Sequence, residues 1–299
     1  MTIKVIMVSI LKYLFLLAVF FIVDIVSSSL VPINLDWVPT ADQMPMVFAG
    51  LLLSAAVISL VISLIVVRSR WSGLKLIGAT FVSWVGCMTI MSQIEPAWFA
   101  PALNIPRSLA FAVTLRGLVS VAILAPVTVW IWGKAKAQAE VGESQARLPQ
   151  SPAEWGWKLA VIAVVYLVLY FGFGYIVAWQ NPALREMYGG GTDPVVFSQL
   201  NMTLLQIFRS ARWVLFAIPV IRMTRGSLWQ VALIVALLYS LPMNIAHFIP
   251  NPVMPDPAVR LSHFIETATS NFIFGLAVTL LLNLQLGRFP ERHVSAAKA

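Results

Sequence analysis

The segment from Arg260 to Asn271, RLSHFIETATSN, carries the densest set of side chains in this sequence that could do chemistry. At helical spacing Arg260, His263, Glu266, Thr267, Ser270 and Asn271 fall on one side, whereas Phe264, Ile265 and Ala268 lie mostly on the other. The segment opens a long apolar run, so a polar stripe enters what reads as a membrane span. An ionisable group inside a bilayer is costly and normally faces a bundle interior, which makes each one a candidate site residue.

Further ionisable groups interrupt other apolar runs: Asp24, Glu95, Arg116, Arg209, Arg212 and His247. Three chemistries suit them. In the first, Glu266 or Glu95 acts as a general base assisted by His263 or His247, while Arg116, Arg209 and Arg212, with Gln206 and Asn271 as polar partners, hold an anionic group through bidentate contacts. In the second, His247, His263 and Glu266 hold a divalent metal, because two imidazoles and a carboxylate with an open position recur at zinc and iron sites. The spacing HxxE has little specificity, and the stronger HExxH is absent. A haem held between His247 and His263 is a lesser variant of the same idea. In the third, the arginines and the acids Asp24, Glu95 and Glu266 pair with each other and only hold helices together. No dinucleotide fingerprint, P-loop or nucleophile elbow occurs in the chain.

These side chains must be positioned by membrane helices. Of 299 residues, 60% are apolar and only 11% are charged, and the mean hydropathy is +0.87. A water-soluble domain could not cover its surface with so few charges, so lipid must solvate the chain. Apolar runs long enough for one crossing each appear at about 5–30, 45–67, 76–95, 108–132, 157–179, 200–221, 228–249 and 260–287. The expected fold is therefore all-α, a single transmembrane domain of eight helices over 1–299. Lys12 and Asp24 interrupt the first run and no clear cleavage site follows, so it reads as a membrane helix rather than a leader. Cys87 is the sole cysteine, which excludes an internal disulfide.

The connectors sort by charge. The N-terminal tail, 68–75, 133–158, 222–227 and the tail from Arg288 hold 14 of the 20 Lys and Arg residues. The alternate connectors contain only Arg107, Arg185 and Arg260, and are rich in Pro and Trp. The net charge of +8 thus belongs to topology and not to nucleic-acid binding: both termini face the cytoplasm of a bacterial-type inner membrane. With that orientation most of the ionisable groups lie in the outer half of the bilayer, forming a polar cavity open to the outside. The polar stretch 133–156 reads as a flexible cytoplasmic linker between halves. The intervals Arg68 to Pro96 and Arg222 to Pro250 are both 28 residues, which suggests a parallel repeat of four plus four helices.

The functional expectation is a membrane-embedded enzyme acting on an amphiphilic or lipid-linked anionic substrate. The alternatives are a secondary transporter of a small anionic solute and a non-catalytic assembly subunit. Apart from the bilayer itself, no partner is indicated.

Overall fold

The computed structural model describes residues 3–33, 39–100, 106–189 and 198–285, and the basic tail from Arg288 lies outside them. Eight helices are long and apolar enough to cross a membrane. They are α1 (Ile3–Leu30), α2 (Met44–Arg68), α3 (Gly73–Phe99), α4 (Arg107–Ile131), α5 (Pro152–Ile176), α7 (Gln199–Met223), α8 (Leu228–Asn244) and α9 (Pro257–Asn283). A short α6 (Pro182–Gly189) lies in a stretch expected to be loop. No strand forms among the described residues beyond two isolated bridges.

Local chemistry sets the boundaries. Ser151, Ser198, Ser227 and Asp256 cap the amino ends of α5, α7, α8 and α9, each accepting a hydrogen bond from a backbone N–H of the first turn. Ser227 and Gln230 complete a capping box. The cap at Ser151 starts α5 before residue 157, where the apolar run begins: Glu154 in the first turn returns a carboxylate to the Gln150 N–H at 2.9 Å. Helix α3 runs past Glu95, where the apolar run ends, and through Pro96 to Phe99. Proline is tolerated inside membrane helices when neighbouring helices satisfy the freed backbone.

Burial divides the bundle into centre and flank. Half or more of the apolar windows of α2, α3, α7 and α8 is buried, against 6% in α1 and 11% in α5. Trp84, Trp213, Tyr239 and Phe274 fill the shared core. Two features bring the central helices close. Val85–Ile90 within α3 is π-helical, and Gly86 there faces the Phe216 ring of α7, where a Cβ would lie 2.1 Å from it. Gly275 of α9 lies so near the α8 backbone that a Cβ would stand 2.6 Å from Ala236 Cα. Contacts run in matched pairs: α1 packs on α4 and α5 on α9, while α2 packs on α8 and α3 on α7.

The basic end of the bundle is tied shut. Ser69 and Thr224 form an antiparallel bridge, with Arg70 N–H donating to Met223 O (2.7 Å) and Arg225 N–H to Arg68 O (3.0 Å). The segment expected to be a flexible linker is instead hydrogen-bonded across this knot. Gly73 N–H donates to Lys134 O, Gln138 N–H to Ser72 Oγ, Gly226 N–H to Glu143 O, and Arg147 N–H to Asn283 Oδ1. Composition hid this, because backbone groups of the helix hairpins supply most of the partners. Glu140 anchors the strap on Lys75 and, at 3.4 Å, on Arg70, and the Lys75 hydrogen bond holds its carboxyl below the ordinary value of 4.5.

Candidate functional site

The site is built from three groups of side chains. On α9, His263 Nδ1–H donates to Glu266 Oε2 at 3.1 Å, one helical turn apart. The assignment follows from carboxylates being acceptors, and it puts the basic lone pair on Nε2. Both side chains are about five-sixths buried. The 3₁₀ turn Ile245–Phe248 that ends α8 brings the His247 ring edge-on to His263, with centroids 4.7 Å apart. Thr267 Oγ donates back to His263 O at 2.6 Å, and Asn271 is buried one turn on.

The second group joins α3 to α7. Glu95 Oε1 accepts from Gln206 Nε2 at 3.1 Å and forms an ion pair with the buried Arg209, whose Nη1 also donates to Gln206 Oε1 at 2.9 Å. The guanidinium lies 5.9 Å from the Tyr166 ring centroid. Here the pairing reading of the sequence applies through Nη1, which meets both the carboxylate and the amide, while the buried Nε has no hydrogen-bond partner among the described residues.

The third group joins α1 to α4. Arg116 donates from Nε and Nη2 to Val31 O at 3.2 and 3.0 Å, and Ser120 Oγ donates to Ser27 Oγ at 2.8 Å. Asp24 lies beside them.

All three groups meet at one cavity of about 740 Å³. Asp24, Glu95, Arg116, Arg209, His247, His263, Glu266 and Asn271 line it, and Gln206 reaches it through Glu95. The remaining surface is mostly aliphatic and aromatic, including Phe20, Phe21, Leu109 and Val113. The lining reaches the 249–256 loop at the proline-rich end and extends to Ile58 and Leu124 well inside α2 and α4. Its size and mixed lining match an organic ligand with one polar and one apolar portion.

Some expectations fail here. Arg212 does not line the cavity: it is exposed on the outer face of α7, its guanidinium 4.2 Å from the Phe208 ring. The helix turns this residue outward. Arg260 is buried yet serves the backbone, donating from Nη1 to Met254 O (2.9 Å) and Pro255 O (2.7 Å). Ser240 Oγ of α8 donates to Ala268 O of α9 at 2.7 Å, and Asn244 Nδ2 donates to Ser240 O within α8 at 2.6 Å. The metal site expected from His247, His263 and Glu266 does not form. Among the described residues no group of three or more His, Cys, Asp or Glu is arranged to hold an ion, and Glu266 instead occupies His263 Nδ1. Direct ring contact likewise leaves no room for a porphyrin between His247 and His263.

Sequence reasoning missed the neutral contributors Ser54, Trp84, Thr89, Tyr166 and Tyr170, all in the cavity wall. Serine, threonine and aromatic residues are ordinary in membrane helices, so only packing distinguishes the few that matter. Comparison with protein-family models, curated proteins and solved structures gives no significant match.

Proposed function

We propose that the protein is a membrane-embedded enzyme acting on an amphiphilic, lipid or lipid-linked substrate with an anionic group, with His263 as proton acceptor and Glu266 as its positioning and charge-stabilising partner. The observation that carries this reading is the His263–Glu266 hydrogen bond in the wall of a cavity that is otherwise largely apolar. A carboxylate on Nδ1 selects the tautomer whose Nε2 takes a proton, and it stabilises the imidazolium that results. The substrate's hydroxyl, or a water placed beside it, is the proton donor. Arg116 is the cation available to the anionic group, since Arg209 is engaged by Glu95.

In this reading the basic end faces the cytoplasm of the inner membrane, and the cavity draws its substrate from the outer leaflet. The matched packing of α1 with α4 and α5 with α9, and the reciprocal bonds at 68–70 and 223–225, support a parallel repeat of four plus four helices. That repeat also favours a second reading, a secondary transporter of a small anionic solute. The hydrogen-bonded strap over the basic end weighs against it, because transport needs a path through both halves.

The test is purified protein reconstituted with a total polar lipid extract, its products followed by mass spectrometry. Glu266→Gln is expected to lower turnover by at least about 100-fold, the usual scale of general acid–base catalysis, while the protein stays monodisperse. Full turnover in that variant removes the assignment, and solute counterflow by the wild type in sealed vesicles replaces it with the transporter.

A further inference from the structure

The cavity has two unlike walls. One, from the 3₁₀ turn at 245–248 and α9, bears His247, His263 and Glu266. The other, from α1 to α4, bears Asp24, Ser54, Thr89 and Arg116, and its polar atoms are incompletely satisfied. Ser54 and Thr89 are 6% and 4% exposed, and neither hydroxyl oxygen has a hydrogen-bond partner among the described residues. The Asp24 carboxylate makes neither hydrogen bond nor ion pair among those residues, and only its backbone carbonyl is used, by Ser27 Oγ at 3.1 Å. Arg116 satisfies Nε and Nη2 on Val31 O, which leaves Nη1 for a ligand.

The register explains why the two charges do not close on each other. Ser27 meets Ser120 and Val31 meets Arg116, so α1 and α4 run antiparallel. Asp24 lies three residues from Ser27 and Arg116 four from Ser120 in opposite axial directions, which separates their Cα atoms by roughly 10 Å along the bundle. The arginine then extends further away, toward the end of α1. A carboxylate and a guanidinium thus share one cavity wall, near enough to feel each other's charge, with two orphan hydroxyls beside them. Leaving such groups unmet is expensive inside a membrane.

We infer that this wall is a head-group subsite for a zwitterion, with the ammonium at Asp24, the phosphate or carboxylate at Arg116, and hydrogen bonds from Ser54 and Thr89 to the same group. Phe20, Phe21, Leu109 and Val113 provide the apolar surface for the attached chain. A head group with negative charge alone would satisfy Arg116 but would place a like charge near Asp24, so the wall selects against it. The inference rests on the amphiphile reading above and narrows its substrate class to amphiphiles whose anionic group has an ammonium neighbour.

The test is binding rather than turnover, measured on the full chain in a non-ionic detergent. The probes are lysophosphatidylethanolamine and lysophosphatidylglycerol of equal chain length, and free phosphoethanolamine. Wild type is expected to bind the ethanolamine lipid at least about 10-fold more tightly than the glycerol lipid, as one charge-assisted hydrogen bond allows. Asp24→Asn is expected to abolish that preference, and Thr89→Val to weaken binding of the zwitterion about threefold, the scale of one neutral hydrogen bond. Arg116→Gln is expected to weaken both lipids. Free phosphoethanolamine binding as tightly as the lipid would mark a soluble zwitterion as the ligand and keep the subsite. Equal affinity of the wild type for the two lipids, which needs no variant to fold, overturns the inference, as does an unchanged ratio in Asp24→Asn. Glu266→Gln is expected to retain the wild-type ratio, so a failed His263–Glu266 assignment and a failed subsite give different results.

Discussion

At the scale of single residues, the charged groups of the membrane interior divide by what they touch. Arg209 is buried and ion-paired with Glu95, whereas Arg116 is half-buried and, among the described residues, hydrogen-bonded to a backbone carbonyl. Glu95→Gln therefore leaves a cation uncompensated and is expected to lower stability by about 3–5 kcal/mol in denaturant unfolding, while the double change with Arg209→Met recovers most of that loss. A double variant no more stable than the single one would mean that the pair has another role. Arg212→Gln is expected to keep turnover and stability within about twofold of wild type, because the side chain stands outside the cavity over Phe208. The sequence allowed all these groups to be named but not sorted. Helical spacing puts Arg209 and Arg212 near one face, and only the packing of α7 against α3 and α5 buries the first and exposes the second.

At the scale of elements, the cavity walls depend on close approach between helices. Gly275→Ala puts a methyl group into the α8 backbone, which cannot move aside as a side chain could. The α8–α9 pair must separate, at a cost of about 1–3 kcal/mol, and the dyad shifts relative to His247. Thermal unfolding and turnover should fall together, and a variant that kept both would show that α9 has slack. The strap over the basic end makes a pH-dependent contribution. Glu140 has its carboxyl pKa lowered by Lys75, so the contribution is present above the ordinary value of 4.5 and is lost as pH falls through the lower folded value. Protection of the Gln138, Val141 and Gln145 amides, taken relative to their intrinsic exchange rates at the same pH, should fall on acidification below that value, and in Glu140→Gln it should already be low at neutral pH. Equal protection under all three conditions would leave the strap held by its backbone alone. The eight crossings were legible because hydrophobic runs of bilayer length leave few alternatives. The strap was not, since its order comes from backbone donors and acceptors on 68–73 and 223–226, which composition does not reveal.

At the scale of the whole molecule, a shell of apolar helices encloses one amphipathic cavity that neither α1 nor α5, the least buried helices, could form alone. The orientation proposed from charge is open to a direct test. Single cysteines introduced at Lys136 and Asn251 should react with impermeant thiol reagents from opposite sides of the membrane, Lys136 from the cytoplasmic side, and Cys87 should stay silent because it is fully buried. Labelling of both from one side would reverse or break the topology. The most direct measurement of the central claim is photo-crosslinking in membranes with an amphiphile bearing a diazirine near its head group, followed by peptide mass spectrometry. Adducts are expected on cavity residues of α1, α4 and α9, around Asp24, Val113 and Ser270, and are expected to diminish when unlabelled zwitterionic lipid competes. Adducts confined to the outward faces of α5 and α7, around Val168 and Leu215, and insensitive to competitor would contradict a cavity that admits lipid.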